Sequence, residues 1–212
     1  MKPLLQNALR TSAILFLFAL VGTALLAYTY RNTHGIIEKS AQEEKLALIN
    51  QVLPRRLYDN DLLAAWRELP AHAMLGTRKP SGMWLATMDG KPVGVVLEAI
   101  APEGYSGDIS LLVGIDANGV LTGVRVVQHK ETPGLGDYIQ LTKSDWVLQF
   151  AGKTYDPDQN SRWKVKKDGG NFDSRAGATI TPRAIVKAVR EALKYFQIHR
   201  ETLLQPIETR KP

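Results

Sequence analysis

The chain has 212 residues, 44% of them hydrophobic and four of them Trp, which suits one anchoring segment plus one globular domain and excludes global disorder. Its net charge is +6, but the 27 basic and 21 acidic residues are interspersed, and no Lys/Arg-rich block carries interleaved aromatics. That pattern speaks against nucleic acid and for anionic lipid heads or an acidic partner surface, while the absence of Cys removes disulfides, Fe–S clusters, thiolate metal sites and thiol nucleophiles.

Residues Thr11 to Tyr30 form an uncharged run whose length matches the bilayer core. Lys2 and Arg10 precede it, and Tyr28 and Tyr30 stand at its far end, where aromatic residues favour the interface. A cleaved signal peptide would have a shorter apolar region ending in a small-residue site, and Thr23 to Ala27 is a poor one, so an uncleaved span is expected. Arg31, Lys39 and Lys45 follow in company with Glu38, Glu43 and Glu44. The reading adopted places the N-terminus inside and the bulk of the chain outside the cytoplasm.

Ile36 to Leu53 predicts a helix with Ile37, Ala41, Leu48 and Val52 on one face, stopped by Pro54. It serves as a stalk or packs on the domain. Arg55 to Ser81 carries Pro70, Gly76 and Pro80 in mixed polarity, which predicts irregular chain with one short helix around Leu62 to Leu69. His34, His72, His129 and His199 are far apart, so no metal-ligand spacing exists and each His reads as structural or solvated.

Strand patterns begin at Met83. Met83 to Met88 and Val93 to Ala101 flank the Asp89-Gly90 turn as a hairpin, and Ile109 to Ile115 is almost wholly apolar, as a central strand is. The turn Asp116 to Gly119 leads into Val120 to Gln128, and short connections require antiparallel pairing. Gly123 within that strand indicates a bulge or a close backbone approach. Arg162 to Val165 is a further candidate strand beside Asp168-Gly169-Gly170.

After Asp173 the chain runs into a closing amphipathic helix, with Ile185, Val189, Leu193 and Phe196 recurring at helical steps. Thr181 suits the N-cap and Pro182 the first helical position. Free N–H groups and the positive dipole end therefore lie near the Thr179 and Thr181 hydroxyls, with Gly177 and Ala178 leaving the approach open, and such a place favours a phosphate group. A capped helix after a tight turn explains the same residues without a ligand. Glu131-Thr132-Pro133-Gly134-Leu135-Gly136 is a second stretch that a packed core does not need: its glycines let backbone approach something flat or crowded, though a strand-exit turn explains it too. It is neither a P-loop nor a dinucleotide fingerprint.

Asp173-x-x-Ala176-Gly177-Ala178-Thr179 resembles the flavinylation motif Asp-x-x-(Ser/Thr)-Gly-Ala-Thr, departing from it at Ala176. Gly104-Tyr105-Ser106-Gly107, Leu111 to Asp116, Glu131 to Gly136 and Gly177 to Thr179 come in the order seen in FMN-binding domains of bacterial respiratory complexes. With the N-terminal span and Lys167 to Gly170, residues 1 to 200 are similar to the G-subunit family of the Rnf (Rsx) ion-translocating electron-transport complex. The C-subunit of the sodium-pumping NADH:quinone reductase is a more distant relative. The resemblance implies an α+β fold, an N-terminal transmembrane helix followed by one antiparallel-sheet FMN-binding domain with flanking helices. Residues 1–10 would be a cytoplasmic N-terminus, 11–30 the transmembrane helix, 31–54 a helical stalk, 55–200 the extracytoplasmic domain and 201–212 a polar tail.

Carried over residue by residue, the resemblance puts covalent FMN on the Thr179 hydroxyl through a phosphoester bond, with Gly177, Ala178 and Thr181 lining the phosphate region. Glu131, Thr132, Leu135 and Gly136 would face the isoalloxazine or shape its loop, and Asp173 would serve attachment by a flavin transferase. Lys166, Lys167 and Arg183 are candidates to offset phosphate charge, an exposed lysine face being the simpler reading of the first two. Trp84, Trp146 and Trp163 are candidates to stack on flavin, a buried core role being the simpler reading of each. The resemblance also implies an electron-transfer subunit of a translocase in the bacterial inner membrane, not a stand-alone enzyme, with the main domain periplasmic. Its partners would be the other membrane subunits, the transferase and the lipid bilayer, with no nucleic acid, no metal site and no catalytic residues of its own. The rival readings are a membrane-anchored assembly or binding module without cofactor, and a lipid- or polyanion-binding anchor.

Overall fold

The computed structural model describes residues 2–205, so residues 206–212 of the expected polar tail lie outside it. Helix α1 spans Lys2–Val52, and within it Leu9–Gly35 is long and apolar enough to cross a membrane, with none of it buried in the protein. The expected span and the expected helical stalk run on as one helix. Nothing between Tyr30 and Ile36 breaks the backbone ladder, Gly35 being tolerated inside a long helix, so one helix continues to the stop imposed by Pro54. On the face predicted for the stalk Ile37 is exposed, Leu48 half-buried and Val52 buried, and Ile49, which was not assigned to that face, is buried too.

The chain divides into two compact units, residues 1–45 and 46–212. The second is built on a five-stranded antiparallel sheet in sequence order: β1 (Trp66–Leu69), β2 (Ser81–Met88), β3 (Lys91–Gly104), β4 (Gly107–Asp116) and β5 (Leu121–Gln128). β2 to β5 are the predicted meander. The turn between β2 and β3 has Asp89 at φ 51° and Gly90 at φ 73°, the left-handed pair that matches the twist of the flanking strands.

β1 replaces the second half of the helix expected at Leu62 to Leu69. One helical turn does form, with Ala65 N–H donating to Asp61 C=O at 3.0 Å, but Trp66 then pairs with Trp84 and Leu69 with Ser81 along β2. Sheet hydrogen bonds from a distant segment outweigh the local preference. The strand expected over Arg162 to Val165 is absent as well. Pro157–Arg162 forms 3-10 turns, and Val165 makes a single bridge to Phe172.

Alternation along the strands sends side chains to opposite faces, and each face has its own core. On one side, Met83, Leu85, Val95, Leu97, Leu111 and Val113 meet the apolar stripe of helix α2 (Ile180–Leu203). All four periodic residues, Ile185, Val189, Leu193 and Phe196, are buried there, and the helix runs past residue 200 to bury Leu203. On the other side, Trp84, Val96 and Leu112 pack on Ile49, Val52 and Leu53 at the end of α1. That approach needs the paired glycines Gly114 and Gly123: a Cβ on Gly114 would lie 2.5 Å from the Val52 carbonyl oxygen, and one on Gly123 would lie 2.9 Å from Val52 Cα. The same carbonyl, one of those left open at a helix end, accepts the Thr122 hydroxyl at 2.5 Å. The expected close backbone approach at Gly123 is therefore the seat of α1.

Candidate functional site

A cleft of about 120 Å³ opens where α2 begins, lined by Tyr105, Glu131, Thr132, Leu135, Gly136, Gly177, Ala178, Thr179, Ile180 and Thr181. Three segments distant in sequence form it: the β3–β4 hairpin tip, the loop after β5, and the approach to α2. Their meeting point is Glu131, only 4% exposed. Its Oε1 accepts Ser106 N–H at 3.0 Å from the hairpin tip, and its Oε2 accepts the Thr181 hydroxyl at 2.5 Å from α2. Among the described residues no cation pairs with Glu131, so these donors and the backbone around them offset its loss of water. Gly136 lies close beside it, and a Cβ there would sit 3.0 Å from Glu131 Oε2 and press on the carboxylate.

The loop after β5 is fixed by its own turns. Leu135 N–H and Gly136 N–H both donate to Thr132 C=O, at 3.1 and 2.9 Å, and Gly134 N–H donates to Asp137 Oδ1 at 2.9 Å. Leu135 stays 47% exposed at the cleft, where a Cβ on Gly177 would come within 3.7 Å of its Cδ1.

Thr181 does not cap α2. The helix starts at Ile180 with Thr179 as the capping position, and Thr181 is buried with its hydroxyl committed to Glu131. Pro182 falls third in the helix, still within the first turn, where its missing N–H leaves no bond unmade. Thr179 makes no side-chain cap hydrogen bond and lines the cleft. The N–H groups of Ile180 and Thr181 belong to the same open first turn.

The approach to α2 is held from below by two buried rings in edge-to-face contact, Tyr138 and Trp146, with centroids 5.7 Å apart. Trp146 Nε1–H donates to Asp173 C=O at 2.6 Å. The Tyr138 hydroxyl accepts Arg175 N–H and donates to Ala178 C=O, both at 3.3 Å, while the Arg175 guanidinium lies 4.7 Å over its ring. Burial pushes the Tyr138 phenol above its ordinary value, against the opposing pull of Arg175, which keeps it a neutral donor. Neither ring was given this role by the sequence: Trp146 read as a core residue or a candidate to stack on flavin, and Tyr138 was given no reading.

The structure thus gathers Glu131, Thr132, Leu135, Gly136, Gly177, Ala178, Thr179 and Thr181 around one cleft. Asp173 is not among them. It borders a neighbouring groove with Trp146 and Arg175, and its carboxylate meets Lys166 Nζ at 2.6 Å. The cations proposed to offset a phosphate do not line the cleft either. Arg183 binds Asp168 through two bonds of 2.6 Å, and that pairing holds the Asp168 carboxyl below its ordinary value. Trp84, Trp146 and Trp163 are buried in the two cores and leave no face for a flavin. Tyr105 and Ile180 are cleft residues that the sequence reading left without a role. The glycines flanking Tyr105 were the available signal.

An antiparallel meander, a closing helix, and a glycine-lined cleft at that helix's start define a small α+β domain with a binding cleft at a helix N-terminus. Residues 104–194 match the family described as FMN-binding domain, and residues 1–52 match the family described as RnfG N-terminal region. The chain is 44% identical to the G-subunit of the ion-translocating oxidoreductase complex of Aliivibrio fischeri, covering 95% of this chain and 96% of that protein. It is 45% identical to the Shewanella oneidensis protein of the same name, over 97% of this chain and 96% of that one. For the Pseudomonas aeruginosa protein of that name the identity is 47%, over 96% and 95%. The chain belongs to the G-subunit family of ion-translocating oxidoreductase complexes.

Proposed function

We propose that this chain is a membrane-anchored flavoprotein subunit that relays electrons through FMN esterified to Thr179, within an ion-translocating oxidoreductase complex. The observation that carries this reading is the cleft itself. It joins an uncapped threonine hydroxyl, a helix start with open N–H groups, and small residues at 136, 177 and 178.

These residues fit a phosphate-bearing flavin. The Ile180 and Thr181 N–H groups and the dipole of α2 would hold the phosphate, so the task proposed for Lys166, Lys167 and Arg183 falls to backbone. Gly177, with φ 84°, turns the chain into the helix without a side chain in the way. Attachment is a phosphoryl transfer without redox change. The Thr179 oxygen bonds to the flavin nucleotide's phosphorus and loses its proton, and a P–O bond breaks to release the leaving group. From a flavin dinucleotide, supplied through a flavin transferase, that leaving group is a nucleoside monophosphate. The product is the chain plus FMN less one water.

FMN, when bound, supplies the one- and two-electron chemistry, and the protein supplies position and electrostatics. Glu131 fixes the three walls relative to one another, and Leu135 gives the cleft an apolar side. A tether keeps the cofactor from dilution outside the cytoplasm, and the anchor raises its effective concentration near neighbouring redox centres. The proposed placement is single-pass in the inner membrane, N-terminus cytoplasmic and the domain from about residue 55 periplasmic. The helix Leu9–Gly35 and the family's complex-subunit names support the anchor and the other membrane subunits as partners.

Thr179→Ala should abolish covalent flavin while the domain still folds. Denaturing electrophoresis with in-gel flavin fluorescence, together with intact mass, reads this directly. A mutant that stays fluorescent refutes the attachment site, and a colourless wild-type protein from a host with the transferase favours a cofactor-free assembly module instead.

A further inference from the structure

Resting on the complex-subunit reading above, we infer that Arg125 is the receptor for a carboxylate on another subunit of the complex, which docks on the sheet face opposite α2. Arg125 lies on β5 and is 9% exposed. Its Nε–H donates to Gln51 Oε1 at 3.0 Å and its Nη1–H to Val124 C=O at 2.7 Å, both uncharged acceptors. Among the described residues no carboxylate pairs with it. Glu98, two strands away across Leu112, accepts Gly82 N–H from β2 at 2.7 Å instead. Burial pulls the guanidinium below its ordinary value, and no acidic neighbour opposes that pull. Gln51 belongs to the last turn of α1, whose dipole offsets part of this cost with a partial charge. A full counter-charge is still missing, and a buried cation without one is costly.

The guanidinium is not sealed in. Nη2 makes no hydrogen bond, and Ser81 Oγ is the one fully enclosed side-chain atom without a partner among the described residues, so the free edge of the Arg125 fork reaches the surface. A planar fork with a free edge matches a carboxylate. Val127, two residues on along β5, is 46% exposed on the same face, since Val126 packs toward the α2 side. Ile100 and Ser110, paired on the neighbouring strands, are half-buried. The chain from Ile49 to Leu62 covers this face over Trp84, Val96 and Leu112, and its apolar cluster does not include Ile100 or Val127. A lipid surface engages clustered exposed cations, and β4 and β5 carry none besides Arg125. A recessed arginine beside uncovered apolar side chains is instead the pattern of a protein interface core.

The test compares the free chain with the complex, purified in detergent through a tag on a different subunit. Arg125→Met removes the charge and keeps the bulk. The free chain should hold or raise its urea midpoint, because an unpaired buried cation is gone, while its recovery in the complex falls several-fold. Arg125→Lys keeps a charge without the fork and should lose recovery in part. Wild-type recovery of Arg125→Met overturns the receptor. So does a urea midpoint lowered in step with recovery, which would make Arg125 a brace for α1. Should Arg125→Met fail to fold, Arg125→Lys decides: reduced recovery at an unchanged midpoint supports the receptor, and full recovery overturns it. A benzophenone side chain placed at position 127 in the intact complex reads the occupant. A cross-link to an Asp- or Glu-bearing peptide of another subunit supports the inference, whereas a cross-link to lipid or to a second copy of this chain, or none, overturns it. FMN per chain should be the same in every variant, so the flavin reading stands or falls separately. A wild-type chain that copurifies with no other subunit overturns the complex reading as well.

Discussion

Phe16 in α1 and Phe196 in α2 are the same side chain in opposite surroundings, the first 69% exposed and the second fully buried. Around Phe16 the helix is apolar on every side, and Leu15, Leu17, Phe18 and Leu20 are exposed with it. Around Phe196 apolar residues occupy one stripe, and the opposite face carries Lys187, Arg190 and Lys194. A helix apolar all round that buries nothing in its own protein matches a hydrocarbon surrounding, whereas a striped helix matches a core on one side and water on the other. The ends of the two helices differ in the same way. α1 delivers a closed C-terminal turn into the sheet, and α2 presents an open N-terminal turn to a cleft.

The largest expected effect tests that contrast directly. Phe196→Ala should cost the domain about 3–5 kcal/mol in urea unfolding of the detergent-solubilised chain, as deletion of a buried ring does. Phe16→Ala should stay within about 0.5 kcal/mol, and a comparable loss there would mean that the N-terminal half of α1 packs on protein. Leu17→Lys comes next. A lysine at the centre of a span disfavours insertion by about 2.5–3.5 kcal/mol, read as loss of carbonate-resistant membrane association with an unchanged urea midpoint. Unaltered membrane association would remove the anchor. Gly123→Ala should then cost about 1–3 kcal/mol, since the new methyl meets the Val52 backbone, which has no soft side chain to yield. Gly22→Ala, with nothing within 4 Å, should cost the domain nothing. Equal effects of the two glycine changes would contradict the docking of α1 on β4 and β5.

What the sequence disclosed follows the range of the forces involved. The meander from β2 to β5 was legible because its turns and its apolar alternation are local. β1 was not, since Arg67 and Glu68 interrupt the apolar pattern and its pairing partner lies beyond two proline-bearing turns. The start of α2 was misjudged for a similar reason. Thr181 has the local chemistry of an N-cap, but a carboxylate fifty residues earlier in the chain takes its hydroxyl. Eight cleft residues were visible through their motifs. Tyr105 stood in the Gly104-Tyr105-Ser106-Gly107 motif but drew no role, because an aromatic at a hairpin tip has no periodic signature, and only folding brings that tip beside residues 131–136 and 177–181. Lys166 and Arg183, two of the candidates to offset phosphate charge, pair with Asp173 and Asp168 instead, contacts that exist only once the chain turns at Gly169 and Gly170.

The smallest expected effect falls at Ala176, where the chain departs from the flavinylation pattern at the open end of α2. The turn there is closed by Ala178 N–H donating to Arg175 C=O at 3.2 Å, and Gly177 takes the position that needs φ 84°. Ala176 occupies the exposed position just before it. Any residue with ordinary backbone angles fits that position of the turn, and a serine hydroxyl there would point to water. Ala176→Ser should therefore shift stability by less than about 0.5 kcal/mol and leave the FMN content per chain, by intact mass, as in the wild type. Gly177→Ala, one residue on, forces a Cβ into the left-handed region and should cost about 1–2 kcal/mol with a loss of loading. A marked gain in loading from Ala176→Ser would mean that the attaching enzyme reads the hydroxyl at 176 directly, and that the open end of α2 is shaped for that enzyme as much as for the cofactor.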